Sequence, residues 1–260
     1  PEINEFVGTV LEGEAVYDFV ADDGVRHELW TISDPAQIAF LENAFLAVPD
    51  LYVADGHHRT AAAARVGQKR KDSNPAHGGN EEYNFFMAVL FPDDQLEIFD
   101  YNRVIKDLNG LSPTDFLGKL GNDFDIRLSE KSCPRPSELG NFSLYLEGVW
   151  YELMAKSKSA SAGSPIGDLD VTLLSEKVLG PILGITDLRK DNRIDFVGGI
   201  RGLKELERRV DSGEMVAAFA LYPVSMEQLL TIADAGEIMP PKTTWFEPKL
   251  RSGLFVHDLE

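Results

Sequence analysis

The chain has 260 residues, 43% of them hydrophobic, and its 43 acidic and 25 basic side chains give a formal net charge of −18. Phosphate backbones are bound by clustered Lys and Arg, so this charge argues against a nucleic-acid partner and disfavours an anionic membrane surface. No apolar run approaches the roughly 18 residues of a membrane span and no secretory leader opens the sequence, so we expect a cytoplasmic protein.

The first fifty residues predict three strands and a helix. Clusters of β-branched and aromatic residues place the strands at 7–10, 15–20 and 25–32. The second and third strands would pair as an antiparallel hairpin. A helix is expected up to Leu46, because Ser33 or Asp34 can cap it and Pro35 suits its first position.

A strand, a tight turn and a helix are predicted next. Leu51 to Ala54 is short and apolar, Asp55-Gly56 is typical of a sharp turn, and the alanine run from Thr60 favours a helix. Residues 67–82 are polar and predict an exposed, mobile loop. Residues 83–91 return as a continuous apolar strand that could be buried on both faces.

Strands and helices alternate through the rest of the chain. The predicted strands are 96–99, 124–128, 142–146, 149–154, 194–198, 215–222 and 254–256, and the predicted helices start at Ser112 or cover 171–179, 202–210 and 226–235. The strands joined across Glu147-Gly148 form the clearest hairpin. The Lys, Ser, Ala and Gly-rich stretch at 155–167 is typical of a linker.

The order of elements predicts a mixed α/β (α+β) fold. Strand and helix alternate in the C-terminal part, which favours α/β packing there. We predict three lobes. The first, 1–105, carries the Asp55 turn, the second, 106–160, contains the hairpin, and the third is the C-terminal α/β lobe at 161–260.

The turn at Asp55 to Arg59 has the sequence Asp-Gly-His-His-Arg and concentrates polar chemistry. A strand that ends in a glycine turn and enters a helix directs unpaired N–H groups and the positive end of the helix dipole at one point. That point is a natural seat for an anion. Gly56 supplies the turn and Thr60 the helix start. A purely structural turn, whose polar residues cap the helix, is the alternative.

Each polar side chain of this turn has an expected role in phosphate chemistry. Arg59 would clamp a phosphate, ideally with two hydrogen bonds. His57 or His58 would donate to developing charge or move a proton. Asp55 would hold Mg²⁺ or orient a histidine. A zinc site is the weaker alternative, because the remaining histidines are scattered along the chain, at His27, His77 and His257.

Two further stretches contribute candidate phosphate or nucleotide ligands. Asn102 and Arg103 follow a strand, where open sheets gather ligands, although a strand-end salt bridge is an equal alternative. In the Pro-rich segment near the C-terminus, Lys242 would supply a charge and Thr243 or Thr244 a hydroxyl. The alternative there is an ordinary loop that packs Trp245 and Phe246 into the core. No Walker-type lysine loop or kinase signature set is present.

Several motifs resemble the uncharacterised microbial family known as domain-of-unknown-function family 1015. They lie at 54–59, 101–103, 170–174, 218–228 and 239–249, so the resemblance extends over essentially the whole chain. Members usually carry a further N-terminal region that would precede this chain. The Asp55 to Arg59 turn is also similar to the motif of archaeal free-serine kinases of the ParB/sulfiredoxin-like superfamily.

The resemblance implies a fold, a ligand and a site. The free-serine kinases place the corresponding strand, turn and helix against nucleotide phosphates. By resemblance, this chain would have a ParB/sulfiredoxin-like strand-turn-helix core and a second C-terminal α/β lobe. ATP or ADP with Mg²⁺ would be the cofactors, and a small molecule the substrate.

Three hypotheses follow. The first is a nucleotide-dependent small-molecule phosphotransferase, the second a non-catalytic module that senses a nucleotide or anionic metabolite, and the third a structural or assembly domain, with a homodimer as a further option. If the Asp55 turn, Asn102-Arg103 and the Lys242 loop converge, a shared site is favoured. If they lie on separate faces, that interpretation fails.

Overall fold

The computed structural model describes residues 2–258 and divides the chain into two compact units, Pro1–Val53 and Ala54–Glu260. The helices are α1 (Glu2–Val10), α2 (Pro35–Leu46), α3 (His57–Ser73), α4 (Pro113–Leu120), α5 (Asp170–Leu174), α6 (Leu203–Asp211) and α7 (Met226–Asp234). The strands are β1 (Tyr17–Val20), β2 (Arg26–Leu29), β3 (Glu97–Phe99), β4 (Tyr101–Ile105), β5 (Phe124–Leu128), β6 (Asn141–Leu146), β7 (Val149–Ala155), β8 (Ile194–Gly198), β9 (Ala217–Ala220) and β10 (Trp245–Glu247). The predicted mixed fold class is confirmed.

In the first unit, the β1–β2 hairpin and helix α2 are confirmed. The two strands pair antiparallel, and the Asp34 carboxylate accepts the N–H groups of Ala36 and Gln37 at the start of α2. The strand predicted at 7–10 is wrong, since α1 occupies this stretch. Phe6 of this helix packs its ring against that of Phe40 in α2, with 4.9 Å between the ring centroids. The apolar residues of the stretch therefore belong to a helical face and not to a strand.

The second unit is built on a six-stranded antiparallel sheet with the order β5-β7-β6-β9-β4-β8. The predicted hairpin is β6–β7, and its turn residues Glu147 and Gly148 both have positive φ, as a two-residue type I′ turn requires. Helix α6 connects β8 to β9, and β4 lies between those two strands. Each lobe predicted from the sequence contributes strands to this sheet, and the three-lobe division stays a prediction.

The hydrophobic core lies on both faces of the sheet, because side chains alternate along each strand. On β4, Ile105 belongs to the larger cluster, which includes residues of α4, α5 and α7. Its neighbour Val104 belongs to the second cluster, with Leu203 and Leu206 of α6. The sheet is therefore covered by helices on both sides.

Three predicted strands are absent from the described residues, those at 51–54, 83–91 and 254–256. A strand needs a backbone partner, and no ladder in residues 2–258 includes these stretches. Their apolar side chains are correspondingly exposed, with Leu51 at 63% and Phe85 at 54%. The apolar sequence alone could not show whether a partner strand is within reach.

The polar stretch at 67–82 is not a mobile loop throughout. Helix α3 continues through Gly67 to Ser73, and a Cβ on Gly67 would lie only 2.8 Å from the Tyr83 carbonyl oxygen. This glycine therefore permits close packing and does not end the helix. Beyond the helix, the Glu81 carboxylate accepts the N–H groups of Gly78 and Gly79, and these bonds lower its pKa to about 2.

The predicted linker at 155–167 is also wrong. The Glu176 carboxylate accepts the hydroxyl groups of Ser159 and Ser161 and the N–H of Ala160. The stretch is thus a hydrogen-bonded loop, which the carboxylate of a later helical turn holds in place. Among residues 2–258, no helix combines the length and apolar character needed to cross a bilayer.

Candidate functional site

The candidate anion-binding site is the N-terminus of α3, at residues 56–59, and is called the anion seat below. Gly56 precedes the helix with φ 87°, a left-handed conformation that glycine adopts without steric cost. No side chain caps the helix, and the Asp55 carboxylate accepts the N–H of Gly56 instead, at 2.8 Å. The first-turn N–H groups at His57, His58 and Arg59 therefore remain available to a ligand. The structural alternative, in which Asp55 caps the helix, is not what the geometry shows.

Two cations flank this seat. Arg59 Nη2 lies 3.5 Å and Lys249 Nζ 3.6 Å from Asp55 Oδ2. Partial burial raises the pKa of Asp55, but the Gly56 hydrogen bond and the charges of Lys249 and Arg59 outweigh it and lower the pKa. Exposed ion pairs of this kind contribute at most about 1 kcal/mol. A phosphate could therefore displace the carboxylate from both cations.

The two histidines of the turn are exposed. Neither imidazole has a hydrogen-bond partner in the part of the chain that the structure describes. Successive helical residues point about 100° apart, so His57 and His58 cannot both approach one phosphate oxygen in the same way. One imidazole can serve the bound anion while the other faces a neighbouring group or solvent.

Contacts within the second unit join the turn and the C-terminal segment to Tyr101, the residue before the buried pair Asn102 and Arg103. Lys249 Nζ, already close to Asp55, lies 5.0 Å from the centroid of the Trp245 ring. That ring packs edge-on against Tyr101 at 5.6 Å, and Lys242 Nζ lies 5.7 Å from the Tyr101 ring centroid. The turn, the C-terminal segment and the start of β4 therefore form one continuous surface, defined here as the Asp55–Lys242 surface.

Glu247 fixes the C-terminal side of this surface. Its carboxylate accepts Trp245 Nε1 at 2.7 Å and the Lys249 N–H at 3.0 Å. Strand β10 also pairs with β3, which directly precedes the Tyr101 strand. Lys249 was not among the predicted ligands, although the Phe-Glu-Pro-Lys sequence that places it was part of the family motif.

Two predicted ligands are engaged in structural hydrogen bonds. Asn102 is fully buried, donates to Asp100 and accepts the Leu221 N–H at 3.0 Å. The Thr243 hydroxyl donates to the Pro240 carbonyl at 2.7 Å. These hydrogen bonds give both residues a role in shaping the loop and the strand end. Lys242 is exposed with φ 59°, and Thr244 is half-buried.

Gly198 of β8 creates the room for Trp245. A Cβ at this position would lie 2.4 Å from Trp245 Cε3. We therefore expect Gly198→Ala to displace the indole and to destabilise the protein by about 1–3 kcal/mol, the usual cost of overpacking. Urea denaturation and the near-ultraviolet circular dichroism of tryptophan would report both effects.

The matched control is Gly118→Ala in α4, where a Cβ meets nothing within 4 Å. This change should stabilise the helix by about 0.5–1 kcal/mol. Equal stability of the two variants would show that Trp245 does not depend on Gly198.

A metal ion held by protein side chains does not fit the turn. Asp55 is flanked by the two cations Arg59 and Lys249. Within residues 2–258, no group of three or more His, Cys, Asp or Glu side chains could hold a metal. The donors thus support neither zinc nor Mg²⁺ bound to Asp55 alone.

An open depression of about 530 Å³ lies beside β3 and β10. It is lined by Asp94, Gln95, Leu96, Glu97, Phe99, Ile200, Glu247 and Pro248. Three carboxylates and no basic side chain make this lining unsuited to phosphate. The basic side chains Arg59 and Lys249 lie beside Asp55 at the turn and do not line the depression.

The model of the family described as "Protein of unknown function (DUF1015)" matches residues 1–172. The match spans more than half of the chain, and the chain therefore belongs to this family, as its motifs predicted. The motifs at 218–228 and 239–249 lie beyond the matched stretch. None of the curated proteins is significantly similar to this chain.

Solved structures offer distant similarities. A free serine kinase in complex with AMP is 15% identical with a TM-score of 0.39, over 83% of this chain and 81% of that chain. A mutant of a free serine kinase in complex with ADP is 17% identical with a TM-score of 0.38, over 80% and 78%. A conserved hypothetical protein from Pyrococcus furiosus is 13% identical with a TM-score of 0.37, over 94% and 82%. Similarity at this level transfers no function, which must rest on the residues themselves.

Proposed function

We propose that the protein is a nucleotide-dependent small-molecule phosphotransferase that binds nucleotide phosphate at the Asp55 to Arg59 turn. The observation that carries this proposal is the uncapped N-terminus of α3 with Arg59 and Lys249 beside it. Backbone N–H groups, a helix dipole and two cations meet there in a chain whose net charge is −18. Such a local reversal of charge favours an anionic ligand.

Phosphoryl transfer needs positioning and charge stabilisation more than covalent chemistry from the protein. Arg59 and Lys249 would neutralise charge on the phosphate oxygens, and the first-turn N–H groups would fix their positions. His57 or His58 would donate to the bridging or terminal oxygen, or take the proton of the acceptor. Asp55, close to both cations, would hold them in position before the ligand arrives.

The nucleotide base would lie along the Asp55–Lys242 surface. Trp245 and Tyr101 supply partly exposed aromatic rings there, and Lys249 connects the rings with the turn. Aromatic faces stack on any base. Mg²⁺ would enter with the nucleotide phosphates, since the turn offers a single carboxylate.

A non-catalytic nucleotide or anionic-metabolite sensor is the second candidate. The observation that favours it is the exposure of His57 and His58, because no neighbouring group within residues 2–258 orients either imidazole for proton transfer. A sensor and an enzyme would share the anion seat and differ in turnover.

The experiment that separates the two is a transfer assay. The protein would be incubated with ATP or ADP, Mg²⁺ and pools of free amino acids or sugars, and phosphorylated products would be followed by mass spectrometry. We expect a product that disappears in His58→Ala or His57→Ala, with nucleotide binding by calorimetry largely retained. Binding without product would support the sensor, and no binding would overturn both proposals.

A further inference from the structure

Arg103 is a buried guanidinium with one unoccupied edge. The residue lies on β4 and is 1% exposed. Its Nη1 donates to the Tyr101 carbonyl oxygen. Its Nε and Nη2 are buried, and no acceptor in residues 2–258 contacts either atom. Such an orphaned pair of donors in a native fold requires an explanation.

No carboxylate in residues 2–258 is hydrogen-bonded to the free edge of Arg103. Asp100 is close in sequence, but it contacts Asn102 and lies 3.9 Å from Arg135. Because side chains alternate along a strand, Asn102 and Arg103 point to opposite faces. Burial lowers the pKa of Arg103 to about 10, so the side chain still carries its charge at neutral pH.

The surrounding rings compensate only part of this charge. The Arg103 Cζ atom lies 5.3 Å from the centroid of Phe196. This cation–π contact is far weaker than a paired carboxylate in a site removed from water. If Arg103 had only a structural role, an apolar side chain of similar length would make the folded protein more stable.

The two unpaired atoms share one edge of the guanidinium. Nε and Nη2 donate in parallel, which is the geometry that binds two oxygens of a carboxylate or phosphate. We propose that this edge of Arg103 is a second oxyanion subsite, which receives the carboxylate or phosphate group of a small ligand. It is separate from the seat at the α3 N-terminus and does not rest on the nucleotide proposal.

Access to the subsite leads through a row of aromatic rings. Phe196 lies over the guanidinium, Tyr101 packs edge-on against Phe196 at 6.0 Å, and Trp245 packs against Tyr101. Lys242 Nζ lies near the Tyr101 ring and would attract an entering anion. The rings must shift for the ligand to reach Arg103, so binding would alter the environment of Trp245.

The test compares stability with anion response. Melting temperatures would be measured in sodium phosphate, sodium acetate and sodium chloride at equal ionic strength, because a ligand of the folded state raises the melting temperature. The Arg59→Ala/Lys249→Ala variant removes the seat at the turn. In that variant we expect a higher melting temperature in phosphate or in acetate than in chloride. The salt that raises the melting temperature identifies the oxyanion that binds.

Adding Arg103→Met to this background should abolish that stabilisation. In chloride alone, Arg103→Met should raise the melting temperature by roughly 2–8 °C, since it removes an uncompensated buried charge. Arg103→Lys should keep the charge but lose most of the anion response, because an ammonium lacks the paired edge.

Arg209→Met is the matched control. Arg209 is 11% exposed and lies 2.8 Å from Asp195, so its loss should lower the melting temperature and leave the anion response unchanged. A lower melting temperature or loss of folding in Arg103→Met, an unchanged anion response, or no response in the turn-deficient background would each overturn the subsite. Nucleotide binding that survives loss of Arg59 and Lys249 would instead refute the proposed function alone.

Discussion

Replacing Arg59 by alanine is expected to weaken ADP binding roughly 10- to 100-fold, because a charge-assisted hydrogen bond to phosphate contributes about 1.5–3 kcal/mol. Arg59 lies beside the Gly56 turn, so close that a Cβ on Gly56 would be 3.2 Å from its Nε and Nη2. Isothermal titration calorimetry at fixed ionic strength measures the change. Lys249→Ala should act in the same direction, because its ammonium shares the Asp55 carboxylate with Arg59.

Arg65→Ala provides the control for net charge. Arg65 is exposed on the same helix, about 9 Å further along the axis at 1.5 Å per residue. It should change ADP affinity less than twofold at physiological salt, where the Debye length is about 8 Å. Equal losses in Arg59→Ala and Arg65→Ala would mean that overall charge, and not the turn, governs binding.

Asp170→Asn is expected to stabilise the protein at alkaline pH by roughly 2–4 kcal/mol. Asp170 is 5% exposed; its Oδ1 accepts the Gly140 N–H at 2.8 Å, and its buried Oδ2 has no partner within residues 2–258. Burial raises its pKa to about 7, against the opposing Gly140 hydrogen bond.

The sign follows from the proton affinities of the two states. Well below pH 4, Asp170 is protonated both in the folded protein and in the unfolded chain, so its ionisation imposes no penalty. Between about pH 4 and 7, the unfolded chain loses the proton while the folded protein keeps it, and stability falls. Asparagine is neutral throughout and can still accept from Gly140.

Urea denaturation at pH 4 and pH 8 measures the difference. The free energy of unfolding of the variant should exceed that of the original chain by a small amount at pH 4 and by much more at pH 8. Asp168→Asn, an exposed neighbour, should reproduce the pH dependence of the original chain. If Asp170→Asn also did so, the buried carboxyl would not be the titrating group.

Local signals in the sequence predicted much of the fold. The Asp34 cap, the Glu147-Gly148 hairpin turn and the Gly56 turn depend on short-range hydrogen bonds and backbone geometry. The structure shows the capping bonds directly, including a reciprocal pair between Ser225 and Gln228. Elements fixed by nearby residues are therefore readable without knowledge of the fold.

The elements that were predicted wrongly all depend on residues that are distant in the sequence. Residues 83–91 have the composition of a buried strand, but strand formation needs a partner that the sequence does not reveal. The loop predicted to begin at Gly67 is helical up to Ser73, and this glycine lets the Tyr83 carbonyl approach the helix closely. Residues 155–167 have a linker composition, yet Glu176 anchors them from beyond the stretch.

The candidate site was predictable at the turn and much less so elsewhere. Strand, glycine and helix were separate local signals for Asp55 to Arg59, although the expected strand did not form. The proximity of Lys249 depends on the pairing of β10 with β3, which the sequence could not show. Asn102 was recognisable as polar, but its bond to the Leu221 N–H joins positions far apart in sequence.

The most direct test of the anion seat is a nuclear magnetic resonance titration of ¹⁵N-labelled protein with ADP. Amide signals of His57, His58 and Arg59 report the uncapped N–H groups individually, and the Arg65 amide provides an internal reference. We predict saturable downfield shifts at the first-turn amides that inorganic phosphate reproduces in part. Saturable ADP binding that leaves these amides unmoved, or no binding, would contradict a phosphate seat at the start of α3.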